Sequence, residues 1–415
     1  MMTAEEYLSR SRLFRRLKSG PHGQLVELYG ARLAKDGLAR HGAWRCLNLL
    51  GGLLSWIANR RTKLTNFDEC MVEQFLRRRA VKQTIQPGDR AALKRLLSVL
   101  REAGAIAPAA AAAPITPQDQ IFEAFGIYLH KERGLAATSI VRHLPVIHRF
   151  LLEVCPDGAG DLSKINQGDV SRYVERHARD LSADSGKAMC WALRGFLRYL
   201  HHKGLNPLEL AGCVPSIRRW KLASLPTYLS AAQVQKALDG CDRATALGRR
   251  DYAVLMMLAK LGLRANEVAT LTLDDIDWRS GEMLVRAKGR RRVRMPIPPA
   301  VGAAVVVYLR DGRPKSSCRR LFLRTLAPRV GFASGCAITM IAKTALERAG
   351  IHGYAHQGAH IFRHSLATEL LRSGATLSEI GQLLRHESHD ATRIYAKVDI
   401  EALRTLSMPW PGGAQ

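Results

Sequence analysis

The 415-residue chain carries 63 Lys+Arg against 36 Asp+Glu, for a formal net charge of +27 and a pI near 10.3. Charge of that size implies a polyanionic partner, with nucleic acid ahead of an anionic membrane surface. No run of about eighteen apolar residues occurs, which excludes a membrane-spanning helix, and the length suits roughly two to three domains.

The first residues, Met1 to Glu6, are polar and lack an apolar signal core, so a cytoplasmic protein is expected. Eight cysteines are scattered without a C-x-x-C pair, as expected for small buried hydrophobes or free thiols in a reducing cytosol. Arg10, Arg12, Arg15, Arg16 and Lys18 crowd the start and read as a solvated, partly helical arm.

From Gln24 to Ile106 apolar residues recur at helical spacing, through Leu25, Leu28, Leu33, Leu47, Leu50, Leu54, Ile57, Phe75, Leu93 and Leu97. Residues 120–206 echo this block. Leu64-Thr65-Asn66-Phe67 parallels Leu162-Ser163-Lys164-Ile165 at an offset of 98 (162 − 64), and Ala92–Leu97 parallels Ala192–Leu197 at 100 (192 − 92). Near-constant offsets predict a duplicated helical unit. Pro108 to Pro117 separates the two copies as an uncharged Ala/Pro linker, and Asn206 to Thr227, with Pro207, Pro215 and Pro226, reads as a second connector.

The last large domain opens at Leu229, with Ser230 as N-cap of a helix over Ala231–Leu238. A buried helix over Asp251–Lys260 delivers Arg264, and Glu267 three residues on is suited to orient an arginine or to form a surface ion pair. Met283–Arg286 and Val293–Ile297 read as strands around a turn holding Lys288, Arg290, Arg291 and Arg292. A helix is expected over Ser365–Leu371, with His364 as a structural hydrogen-bonder at its start. His352, His356, His360 and His364 fall at intervals of four, but Gly353 and Gly358 interrupt a continuous helix and no carboxylate or cysteine ligand accompanies them, so no metal is expected. The fold class is therefore mainly α, with a small β-hairpin or three-stranded sheet in this domain. The boundaries are 1–107, 108–117 (linker), 118–206, 207–228 (linker), 229–397 and a tail over 398–415.

Arg264, Lys288, His360, Arg363, His386 and Tyr395 suit attack of a tyrosine hydroxyl on a phosphodiester without a metal. Two arginines can each fork two N–H donors onto non-bridging oxygens where charge develops. The histidines can donate hydrogen bonds or move protons, and a lysine in a crowded cationic pocket can protonate a leaving 5′-oxygen. The phenol, poorly reactive at its free pKa of about 10, would be activated by the surrounding positive field.

In order and spacing these six residues resemble the catalytic set of the tyrosine recombinases, the phage-integrase family. Arg264 lies in Leu261-Gly-Leu-Arg-Ala-Asn-Glu-Val268, Lys288 in Ala287-Lys-Gly289, and Tyr395 follows His386 by nine positions (395 − 386). One position departs. Arg385 stands where many members have glycine, adding charge near the phosphate and bearing on the local turn. The resemblance covers roughly residues 118–400.

It implies a helical core-binding domain over 118–206, with Arg142, Lys187 and Arg194 among its DNA contacts. The connector's Arg218, Arg219 and Lys221 would lie against the backbone, and Arg290, Arg291 and Arg292 would reach a groove. It implies site-specific recombination of a mobile element through a 3′-phosphotyrosyl bond, on double-stranded DNA at specific sites. The protein would act at the bacterial nucleoid as a homo-tetramer or dimer, with companion recombinases and without cofactor. The tail would dock in cis or on a neighbouring protomer. Two other readings use the same features: type IB topoisomerase-like relaxation, and a catalytically silent accessory subunit.

Overall fold

The computed structural model describes residues 8, 11–82, 85–86, 88–108, 117–155, 161–217, 226–286, 291–354, 357–386, 388 and 390–398. Compactness divides the chain into two units, 107–223 and a second that joins 1–106 with 224–415. The buried apolar residues nevertheless gather in stretches contiguous in sequence: Leu8–Ile106, Phe125–Val214 and Leu229–Phe362, with a small satellite around Tyr395.

Within the first stretch, a helix over Arg12–Lys18 precedes helices Gly23–Lys35 and Arg40–Asn59, a 3₁₀ turn at Leu64–Asn66, and helices Glu69–Lys82 and Asp89–Glu102. Unit 107–223 repeats the order: helices Pro117–Lys131 and Ala137–Val154, a 3₁₀ turn at Leu162–Lys164, and helices Gln167–Ala178 and Ala183–His202. The two 3₁₀ turns stand at the offset of 98 read from the sequence (162 − 64). Each turn is followed by one buried apolar residue, Phe67 or Ile165, that locks it onto its own core. Pro117, placed in the linker by composition, instead opens a helix, where its fixed φ and missing N–H carry no penalty. The arm also differs from expectation, because Phe14 is buried on a helix whose N-cap, Ser11, accepts from the Phe14 N–H.

In the C-terminal stretch, Ser230 caps the Ala231–Asp239 helix through a capping box with Gln233. The Ala246–Leu261 helix is buried on nearly every face and packs against helices Pro299–Asp311 and Ala359–Arg372. Strands β1 (Ile276–Asp277), β2 (Glu282–Arg286) and β3 (Arg292–Pro296) form an antiparallel sheet in that order. In β2, Met283 and Val285 are buried and Leu284 less so, the period of two that turns one face to the core. The two-residue β1 is too short to leave an alternation in the sequence.

Helices Cys336–Arg348, Ala359–Arg372 and Leu377–Leu383 complete the domain, with a short turn Asp390–Arg393 running into 3₁₀ residues Ile394–Val398. The helix expected over Ser365–Leu371 begins six residues earlier, because Gly358 is its N-cap. His364 therefore sits within the helix, not at its start. None of the described helices is long and apolar enough to cross a membrane.

Candidate active site

The buried Ala246–Leu261 helix ends at Gly262, which adopts φ +58° and returns its N–H to Met257. A Cβ there would lie 2.6 Å from Leu384 Cδ2 and 3.1 Å from Leu366 Cδ2. Only glycine combines that backbone with that proximity. Two residues on, Arg264 caps the Ala265–Thr270 helix, and Glu267 at its third position holds it twice. Glu267 Oε2 accepts from the Arg264 backbone N–H at 2.8 Å and Oε1 from Arg264 Nη1 at 2.8 Å. Glu267 is buried, so the surface ion-pair alternative gives way to an orienting one.

Arg363 projects from the Ala359–Arg372 helix and is almost fully buried. Its Nη1 donates to the carbonyl of Gly262 and its Nη2 to the carbonyl of Leu384. A guanidinium carries five N–H donors, so each Nη retains a second N–H for another acceptor. Burial, then neighbouring Arg264 and Arg385, lowers its pKa to about 10, which still leaves it charged at neutral pH.

Leu384, Arg385 and His386 form a tight turn after the Leu377–Leu383 helix. The Leu384 carbonyl holds Arg363, the Arg385 carbonyl lies 3.5 Å from Arg264 Nη2, and the His386 N–H returns to Gly381. Arg385 has φ +56°, a left-handed backbone that glycine adopts freely and arginine does not. Its side chain is buried, with Nη2 on Glu267 Oε2 at 2.9 Å and Nη1 on Leu383 O at 3.1 Å. One carboxylate thus serves two guanidiniums. Burial alone would raise the Glu267 carboxyl, but Arg385 and the bonds from Arg264 hold it below the usual carboxylate range.

His386 places Nδ1 2.7 Å from Thr392 Oγ1, and its ring runs within 6° of parallel to the Tyr395 ring at 6.3 Å. Burial, then Arg363 and Arg264, pushes its pKa down to about 4, so the ring is neutral at pH 7. Tyr395 is 1% exposed, and its Oη lies 2.9 Å from His364 Nδ1. His360 stacks on His364 one turn earlier, at 5.4 Å. Burial pushes the Tyr395 phenol up to about 12, outweighing the downward pull of Arg363 and Arg264. The expectation of a phenol activated by positive field therefore meets the opposite balance here: desolvation wins.

Arg264, Arg363, His386 and Tyr395 converge, with His360 joined through His364. Lys288 and Arg290, between β2 and β3, lie outside the described residues, as do Arg218, Arg219, Lys221, His356 and the tail beyond residue 398. Arg291 and Arg292 are exposed where β3 begins, and Arg142 and Lys187 are exposed on their helices. Arg194 behaves differently from a simple phosphate contact. Its Nη2 donates to Val214 O, Pro215 O and Ser216 Oγ at 2.9–3.1 Å, tying the start of the connector to its own bundle. Sequence reasoning misses Gly262, His364 and Thr392 as working parts. The φ > 0 demand of a helix-ending glycine is the one available signal; the other two act across folded distances.

The family sequence model described as "Phage integrase family" matches residues 227–401, and "Phage integrase, N-terminal SAM-like domain" matches residues 122–204. A protein described as "Putative integrase/recombinase y4rA", from Sinorhizobium fredii, is 38% identical over 375 residues, covering 88% of this chain and 89% of the relative. The chain belongs to the phage integrase family. It is a tyrosine-type site-specific DNA recombinase. "Tyrosine recombinase XerD" of Mycobacterium tuberculosis is 33% identical over 306 residues, 69% of this chain and 94% of that one.

Among solved structures, the XerH site-specific recombinase bound to palindromic difH substrate covers 81% of this chain and 93% of its own, with TM-score 0.54 and 17% identity. A lambda integrase(75-356) dimer bound to a COC' core site covers 66% and 94%, with TM-score 0.52 and 15% identity. At those identities the likeness speaks for the fold: a mostly helical tyrosine-recombinase architecture with a small antiparallel sheet.

Proposed function

We propose that the recombinase cuts and rejoins DNA through Tyr395, which attacks a phosphodiester, forms a 3′-phosphotyrosyl bond and releases a 5′-hydroxyl. The observation that carries this reading is the convergence of Tyr395 with Arg264, Arg363 and His386 around one small, largely buried site. The free N–H groups of Arg264 and Arg363 would hold the non-bridging oxygens, where negative charge grows as the phenol attacks. His364 Nδ1, already at the hydroxyl, is placed to take the phenolic proton; neutral His386 would hydrogen-bond a phosphate oxygen. Lys288 would protonate the departing 5′-oxygen. A 5′-hydroxyl of the partner strand reverses the step, so the bond energy is conserved and neither ATP nor metal enters.

The partner is double-stranded DNA at specific sites, and the working form is a dimer or tetramer on it. That reading draws on relatives whose solved structures are DNA complexes. A mobile genetic element is the natural source of such sites. Residues 1–107, 118–206 and 229–397 act as three domains, the first serving as a second DNA-gripping module; the repeated order of two helices, a 3₁₀ turn and two helices supports that assignment.

The test is covalent trapping on a nicked DNA substrate. Wild type gives an SDS-resistant protein–DNA adduct, and Tyr395→Phe binds the same DNA with similar affinity yet gives none, since only the hydroxyl is lost. An adduct from the Phe variant would assign the nucleophile elsewhere.

A further inference from the structure

We infer that Arg385 is a positioning residue: it neutralises Glu267 and latches the 384–386 turn, so that Arg264 and Arg363 present their full charge to the scissile phosphate. The inference rests on the proposed strand-cleavage chemistry and goes beyond it.

Three observations point the same way. First, Arg385 occupies a left-handed backbone at φ +56°, a strain on an L-residue that glycine would avoid. An arginine kept there must return something. Second, its side chain is 5% exposed and ends on Glu267 Oε2, while its Nε is buried without an acceptor. Burying a guanidinium with an unmet donor is costly, so packing alone does not account for it. Third, the carboxylate it meets is the one that fixes Arg264 through both its backbone and its side chain.

The charge balance makes the role concrete. Arg264 and Arg363 bring two positive charges to the site, and Glu267 takes one away. Arg385 restores it, returning the buried group to a net of two. A phosphodiester carries one negative charge, and the incoming phenolate raises the reacting centre to two before the 5′-oxygen leaves with its proton. Without Arg385, Glu267 would draw on Arg264 at the moment the phosphate needs it. The same residue also sets the turn whose flanking carbonyl, Leu384 O, holds Arg363 and whose next residue is His386. One side chain therefore serves both arginines.

The experiment measures single-turnover cleavage of a nicked duplex site, with DNA affinity determined in parallel. Arg385→Gly removes both the backbone strain and the latch. With folding checked by thermal melting, it should bind DNA within about twofold and cleave at least about tenfold more slowly. Arg385→Lys keeps the charge and should recover most of the rate. Adding Glu267→Gln to Arg385→Gly removes the uncompensated anion and should restore part of the lost rate, although Glu267→Gln alone slows cleavage. Arg385→Gln serves in place of the glycine variant if that one fails to fold, with the same loss and the same rescue expected. A wild-type rate in Arg385→Gly, or a double variant no faster than Arg385→Gly, overturns the inference. Covalent adduct formation by wild type in the same assay separates this outcome from a failure of the cleavage chemistry itself.

Discussion

Gly262→Ala tests whether the end of the buried helix is as tightly specified as its geometry implies. The substitution has two separable costs. An alanine at φ +58° carries about 1 kcal/mol of backbone strain. Its methyl would also sit 2.6 Å from Leu384 Cδ2 and 3.1 Å from Leu366 Cδ2, and overpacking of that kind costs about 1–3 kcal/mol. A total of about 3 kcal/mol lowers the melting midpoint of a domain this size by about 6–12 °C. Gly350 supplies the control, because it has φ +65° but nothing within 4 Å of an added Cβ. Gly350→Ala should therefore show the strain alone, about 2–4 °C. The two variants are compared by thermal melting and by covalent trapping on nicked DNA. Gly262→Ala should also lose cleavage, since the Leu384 carbonyl it displaces and its own carbonyl are the two acceptors that orient Arg363. Equal melting shifts for the two variants, or full cleavage by Gly262→Ala, would refute the reasoning.

Further outcomes follow from the same site and from the first domain. If Lys288 protonates the leaving 5′-oxygen, a 5′-bridging sulfur should largely restore cleavage to Lys288→Ala, because a thiolate leaves without a proton; an equal defect on both substrates assigns Lys288 to binding. His386 stays neutral in the folded state down to about pH 4, whereas in the unfolded chain it takes its proton near the ordinary value of about 6.5. Below about 6.5 the unfolded state binds more protons, so stability is lost as the pH falls toward 4 and fully present above. Melting curves across that window should flatten in His386→Asn, and an unchanged slope contradicts the assignment. Replacing exposed Lys63, Arg77 and Arg78 by alanine should reduce the log–log salt slope of DNA binding by about 0.9 for each phosphate that is no longer neutralised. An unchanged slope, with higher-order complexes disappearing on a sizing column, would show that this domain contacts protein instead.

What the sequence disclosed here was what local chemistry writes into local order. The apolar spacing from Gln24 to Ile106 and again from 120 to 206 yields helices, and the matching positions of Leu64–Asn66 and Leu162–Lys164 survive as paired 3₁₀ turns. Ser230 is legible as a cap because a capping box is a four-residue device. Arg264 and Arg363 are legible by type, yet their acceptors are not. The Gly262 and Leu384 carbonyls that hold Arg363 lie 101 and 21 residues away, and no pattern within one helix encodes such a meeting. His364 reads as structural in the sequence because its partner, Tyr395, sits 31 residues on. The direction of the phenol's shift escapes the sequence for a related reason: nearby cations can be counted there, but burial cannot. Arg385 stands out as a departure, and only the backbone angle shows what a glycine would have saved there.

The order of the cores along the chain has a consequence for synthesis on the ribosome. The three large clusters close in sequence order, over 8–106, 125–214 and 229–362, and the small satellite of Ala367, Ile380, Leu384 and Tyr395 comes last. Each large core is complete before residues beyond its own stretch have been made, so folding during translation can proceed cluster by cluster. Among the described residues, Tyr395 is the last of the final cluster. Under the proposed chemistry, a nascent or prematurely terminated chain can assemble its DNA-gripping surfaces and even its paired arginines while still lacking the group that cuts. Such a product would occupy a recombination site without nicking it.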